Sequence, residues 1–123
     1  LKDYQKVTAL AECSSALIVS MGQLLCLHRK PSYGIVNDEA EWQNLFIVID
    51  MFYGGCLSEI LNPFGLSAQE LKLCYLIRAR LCNKAIAALF NITPKSVLKT
   101  KQRIKSKIGL SGKDSLDRYV QQC

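Results

Sequence analysis

The sequence predicts an all-α fold, with long N-terminal helices followed by a four-helix unit. Three observations predict it. Apolar residues recur at three- and four-residue steps through most of the chain, the spacing that lines one face of an α-helix. No stretch sustains strand alternation, and "LFIVID" (residues 45–50) sits inside a longer helical period. Helix-start signals stand where elements should begin: Asp38 with Glu41, Ser67 with Glu70, and Thr93 before Pro94. A chain of 123 residues, half of them hydrophobic, buries a core without disulfide or metal staples.

From Lys2 to about Leu27, the residues Tyr4, Val7, Leu10, Ala11, Leu17, Ile18, Met21, Leu24 and Leu25 trace a stripe and predict a long amphipathic helix in need of a partner. Its segment "ALIVSMGQLLCL", followed by "HRK", superficially resembles a membrane span with a basic flank. The uninterrupted run is shorter than the ~20 residues a span needs, and Glu12, Gln23 and the serines dilute it, so helix packing is expected instead. "HRKPSYGIVND" holds Pro31, Gly34 and Asn37 and reads as a loop. The second helix carries Trp42, Leu45, Phe46, Ile49, Phe52, Tyr53, Cys56, Leu57, Ile60 and Leu61 on one broad face, kinked at Gly54-Gly55 and stopped by Asn62-Pro63. That glycine pair lacks both the spacing of a phosphate loop and a preceding strand.

Residues 1–62 are expected to form a helical linker or dimerisation segment, and residues 63–123 a separate domain. In the latter, a helix from Ala68 to Arg80 turns Leu71, Cys74, Tyr75, Ile77 and Leu81 inward. A short helix from Asn83 to Phe90 follows, with Ile86, Ala87 and Phe90 inward and Asn91 suited to the left-handed residue that ends it. Thr93 caps a third helix running to Ile108. The corner between them is Asn91, Ile92 and Thr93, and its spacing satisfies a helix-turn-helix constraint: Ala87 small at the crossing, Ile92 plugging the corner, Val97 anchoring the next helix. Beyond Gly109, Ser111 and Asp114 at capping distance predict a fourth helix with Leu116, Tyr119 and Val120 as its apolar stripe.

Charge separates the two parts. The chain carries a formal +6, yet residues 1–65 hold four Lys/Arg against seven Asp/Glu, a net −3, and residues 66–123 hold twelve against three, a net +9. A strongly basic small unit suits a polyanionic partner. From Thr93 to Ile108 there is no carboxylate to pair with the cations. At about 100° per residue, Val97, Ile104 and Ile108 fall on one side of this helix and Lys95, Lys99, Gln102, Arg103 and Ser106 on the other. Donors without acceptors suit phosphates and guanine edges.

Catalytic and metal chemistry find no constellation. The single histidine, His28, accompanies no nucleophile set or carboxylate pair. Cys13, Cys26, Cys56, Cys74, Cys82 and Cys123 form no CxxC pair and read as reduced, mostly buried thiols. No enzyme activity, cofactor, metal or small-molecule substrate is expected.

Leu66 to Leu110 resembles the LuxR-type (GerE-type) helix-turn-helix of bacterial transcription regulators. "LSAQE" stands for that family's L-T/S-x-x-E, "NKAIAALFNIT" for N-K-E-I-A-x-x-L-x-I-S, and "SVLKTKQRIKSKIGL" for T-V-K-x-H-x-x-x-I-x-x-K-L-G-V. Trp42 and "NPFGLSAQELKLCYLIR" resemble the run that precedes this domain in some large bacterial sensor-regulators. With Leu1 rather than methionine first, the chain reads as the C-terminal part of such a protein. The resemblance implies a cytoplasmic output domain that binds double-stranded DNA as a homodimer, through the N-terminal helices, the last helix or both.

Carried over residue by residue, the resemblance places Leu98, Lys99 and Gln102 at base edges in the major groove, and Asn83, Lys84, Lys95, Ser96, Arg103 and Lys107 on phosphates. The recognition helix spans about Pro94 to Ile108. The chain departs from the pattern at Arg80, where a glycine is usual, at Ala85 for a glutamate, at Thr100 for a histidine, and at Leu98 for a DNA-facing lysine. Leu98 either meets a thymine methyl or leaves its position unread. The alternative expectation is a helical protein-interaction module that keeps the helix-turn-helix shape without reading DNA.

Overall fold

A computed structural model describes residues 2–122, with side chains from residue 15 onward. Expectations on Tyr4, Val7, Leu10, Ala11, Glu12, Cys13 and Cys123 lie outside the described side chains. Among the described residues all regular structure is helical: α1 (Lys2–Arg29), α2 (Glu39–Tyr53), α3 (Leu57–Leu61) running into a 3-10 turn (Asn62–Phe64), α4 (Ala68–Arg78), α5 (Asn83–Phe90), α6 (Pro94–Ile108) and α7 (Leu116–Gln122). The all-α expectation holds.

α1 and α2 pack against each other. Asp38 caps α2 by accepting the Glu41 amide at 2.9 Å. The buried side of α1 differs from the predicted stripe. Leu24 and Leu27 are buried, with Leu17 and Met21 beside them, whereas Ile18 and Leu25 are 64% and 57% exposed. The buried row takes in Ser20, whose Oγ satisfies itself on the Ala16 carbonyl at 3.2 Å. Gln23 fastens the following loop by donating to the Ile35 carbonyl at 3.1 Å and to the Glu41 carboxylate.

The predicted kink at Gly54-Gly55 is a full break, with α2 and the α3 segment meeting at 99°. Both glycines have positive φ, 83° and 77°, which only glycine adopts without strain. Asp50 then spans the corner: one carboxylate oxygen accepts the Leu57 amide at 3.1 Å, the other the Tyr75 hydroxyl at 2.9 Å. The Tyr75 oxygen in turn accepts the Ser58 amide at 3.0 Å. The first turn of α3 is thus capped from α2 and α4. The break also turns Phe52 and Ile60, expected on the inner face, to the outside. No single helix among the described residues is long and apolar enough to cross a membrane.

α4 is the central element. Ser67 and Glu70 form the reciprocal capping box predicted for it. Every residue from Leu73 to Ala79 is buried, a wider burial than the one expected face, because α2, α3 and α7 all pack against it. Even Arg78 is 1% exposed; its Nη2 donates to the Tyr53 carbonyl at 3.1 Å and so closes the end of α2. The Phe46 ring stacks on Tyr75 with centroids 3.9 Å apart, and Trp42 stacks on Phe90 at 5.8 Å. Buried side chains form one continuous core from Leu24 to Val120.

α4 ends in a Schellman turn: the Arg80 amide bonds to the Ile77 carbonyl at 2.9 Å and the Leu81 amide to the Leu76 carbonyl at 3.2 Å. Arg80 holds φ at 65°, the left-handed region, at a cost of about 1–2 kcal/mol for a residue with a Cβ. Glycine would stand there freely, which is the physical sense of the glycine usual at this point of the resembled pattern.

At the C-terminus, the expected Ser111 and Asp114 capping pair forms a turn rather than a helix start. Asp114 accepts both the amide and the hydroxyl of Ser111, at 3.0 and 2.9 Å. α7 begins at Leu116, with Ser115 Oγ accepting the Arg118 amide at 3.3 Å. Leu116 and Val120 enter the core and Gln121 donates to the Ile77 carbonyl at 3.2 Å, so the apolar stripe of α7 is used inside its own chain. Cys26, Cys56, Cys74 and Cys82 are free thiols, and only Cys74 is buried. The expectation of mostly buried cysteines is corrected: Cys26 lies on the open side of α1, and Cys82 precedes the first turn of α5.

Candidate nucleic-acid interface

α6 is built to be presented. Thr93 caps it by accepting the Ser96 amide at 3.1 Å, Pro94 occupies its first turn, and Gly109 at φ 89° ends it. Its first turn holds no acidic residue, so the free amides and their dipole are open to an anion. The three-residue corner before it is held mainly by backbone. Asn91 is left-handed (φ 55°, ψ 48°), its amide bonds to the Ala88 carbonyl at 3.3 Å, and the Ile92 amide bonds to the Ala87 carbonyl at 3.0 Å. Ala87 and Val97 are buried as the spacing predicts, but Ile92 is 40% exposed and does not plug the corner. Leu89 before the corner is buried, and Phe90 stacks on Trp42.

The buried row of α6 is Val97, Lys101, Ile104 and Lys105, with Ile108 half-buried. Two lysines inside this row were not foreseen. Lys101 Nζ lies 2.8 Å from Asp117 of α7, and Lys105 Nζ donates to the Gly112 carbonyl at 3.3 Å. Both cations tie α6 to the chain that follows it, so they are not spare charge for a partner.

The remaining residues divide by what already holds them. Lys95, Leu98, Lys99 and Gln102 are exposed along one side of α6, and Leu98 is 50% exposed. Ser96 is half-buried and shares the Thr93 cap. Arg103 is exposed, with Nη2 at 3.4 Å from the Thr100 hydroxyl and Nε at 3.9 Å from Glu70. Lys107 Nζ sits 2.6 Å from Glu70 Oε1, so it reaches a phosphate only by sharing or leaving that carboxylate. On α5, Lys84 is exposed while Asn83 is half-buried, its Oδ1 enclosed without a hydrogen-bond partner among the described residues.

The carboxylate that engages Lys107 is 3% exposed and also accepts the Ser67 amide at 2.8 Å. Burial works to raise the Glu70 pKa; Lys107 and the Ser67 amide and hydroxyl outweigh it and hold the carboxyl below its ordinary value. This link was not legible in the sequence, because its partners stand 37 residues apart and Glu70 already had a role as a capping residue.

The departures from the resembled pattern also find places. Ala85 is 6% exposed on the side of α5 that α1 approaches. Thr100 donates to the Ser96 carbonyl at 3.0 Å. No group of three or more His, Cys, Asp or Glu among the described residues could hold a metal ion. No family model, curated protein or solved structure matches the chain.

Proposed function

We propose that this chain is the DNA-binding output region of a bacterial transcription regulator of LuxR type, with α5 and α6 as a helix-turn-helix and α6 in the major groove. The observation that carries the reading is the outer side of α6: Lys95, Leu98, Lys99 and Gln102 are exposed together on a capped, acid-free helix. None of these four makes a side-chain hydrogen bond or ion pair among the described residues. Side chains so placed offer a groove-width element with donors at base edges and amide dipoles near phosphate. In this reading the protein acts in the cytoplasm, and two copies pair to reach successive half-sites. The N-terminal pair is the better candidate for that contact, since Ile18, Val19, Leu25, Ile47 and Met51 are exposed there while the α7 stripe is occupied.

Electrophoretic mobility of a promoter fragment at several salt concentrations tests the proposal. Affinity should fall steeply with salt, and replacing Lys99 and Gln102 together by alanine should weaken it at least tenfold. Binding indifferent to both changes would end the reading.

A second reading keeps the shape as a protein-interaction module, favoured by Leu98 at a position where a basic side chain is usual and by the same exposed apolar residues of α1 and α2. Light scattering after size exclusion separates the two. An interaction module self-associates or binds protein at the same mass with and without DNA.

A further inference from the structure

Between the last turn of α1 and the start of α5 lies a cavity of about 530 Å³, within the size range of small-molecule sites. Leu27, Leu81, Ala85 and Ala88 supply its apolar walls, and the small side chains at 85 and 88 are what leave the room. Arg80, Lys84 and His28 border it, all three exposed, and none makes a side-chain hydrogen bond or ion pair among the described residues. No aspartate or glutamate lines it. Arg80 is also one of two non-glycine residues held at positive φ among the described residues. A backbone position that would cost glycine nothing is given instead to an arginine that lines this cavity and also a second one against α7. Such retained strain marks positions where the side chain is used.

The geometry points to a binding site for an apolar monocarboxylic acid, its hydrocarbon part between α1 and α5 and its carboxylate on Arg80, with Lys84 and His28 beside it. A planar guanidinium takes a carboxylate in two parallel hydrogen bonds. The mostly apolar walls give the acid's tail a surface that it is favourable to cover. Lys84 also belongs to the proposed phosphate contacts, so the site is tested without DNA and stands independently of the DNA reading.

Octanoate and octan-1-ol are matched probes that differ in charge. The expected result is saturable octanoate binding at about 1 mM or below, read by calorimetry. Shifts of the Ala85 and Ala88 methyl resonances locate it, and octanol binds at least tenfold more weakly. Arg80→Gly removes the guanidinium and relieves the left-handed strain, so the variant should melt no lower than the parent while its octanoate affinity falls about tenfold or more. Absence of octanoate binding, equal binding of the alcohol, unchanged affinity in Arg80→Gly, or methyl shifts elsewhere would each overturn the proposal.

Discussion

The ammonium of Lys107 lies 2.6 Å from Glu70 Oε1, and this contact joins the last turn of α6 to the first turn of α4. The same oxygen accepts the Ser67 amide, so the cap of the central helix and the charge of the candidate recognition helix are set by one carboxylate. Part of the positive charge of α6 is therefore committed internally.

Replacing Glu70 by glutamine keeps an acceptor for the Ser67 amide and frees Lys107. DNA affinity should rise several-fold and the salt dependence should steepen by about one counterion, measured by titration from low to high salt. The carboxyl is held below its ordinary value of 4.5. Its contribution to stability is complete above that value and is lost as pH falls through the lower folded value. Urea unfolding from neutral pH down to pH ~3 should show a shallower acid loss in the variant than in the parent; identical slopes would mean that the Glu70 link contributes nothing.

Leu98 is half exposed in the middle of the outer side of α6. If it meets a thymine methyl, replacing thymine by uracil across a bound site should weaken the parent by about fourfold, the worth of one buried methyl group. Leu98→Ala should be insensitive to the same change. Equal losses in both proteins would assign the effect to another residue.

Burial, together with the Asp50 carboxylate, pushes the Tyr75 phenol up to about 12 against the opposing bond from Ser58. A raised folded value stabilises the fold fully below the ordinary value of 10, and that contribution is lost as pH rises from 10 to about 12. Ultraviolet titration of the five tyrosines should show one late phenol that disappears in Tyr75→Phe. That variant should also lose about 1–3 kcal/mol, because the Ser58 amide and Asp50 lose a partner. An unchanged titration curve would contradict the assignment.

Lys101 is buried and its partner Asp117 is half exposed. Asp117→Ala should cost about 1–3 kcal/mol by leaving the ammonium unpaired, whereas Lys101→Met, which removes the charge and keeps the stem, should cost about 1 kcal/mol or less. Chemical denaturation of the two variants gives the order directly, and the reverse order would show that the pair does not hold α7 to α6.

Local chemistry was legible from sequence because it acts over a few residues. The Asp38, Ser67 and Thr93 caps, the left-handed Asn91, the Gly109 stop and the helical periods all depend on neighbours three to five positions away, and the helices follow them. The outer row of α6 could be projected for the same reason. What faces inward depends on what arrives from elsewhere in the chain, and only the tertiary structure decided that. α2 reaches one side of α1 and leaves Ile18 and Leu25 outside, and the Asp50 and Tyr75 bridge turns a kink into a 99° break. Asp117 and Glu70 take Lys101 and Lys107 out of the free charge, and the approach of α1 buries Ala85. Period and capping are properties of a segment, whereas burial and ion pairing are properties of pairs distant in sequence, which no local pattern records.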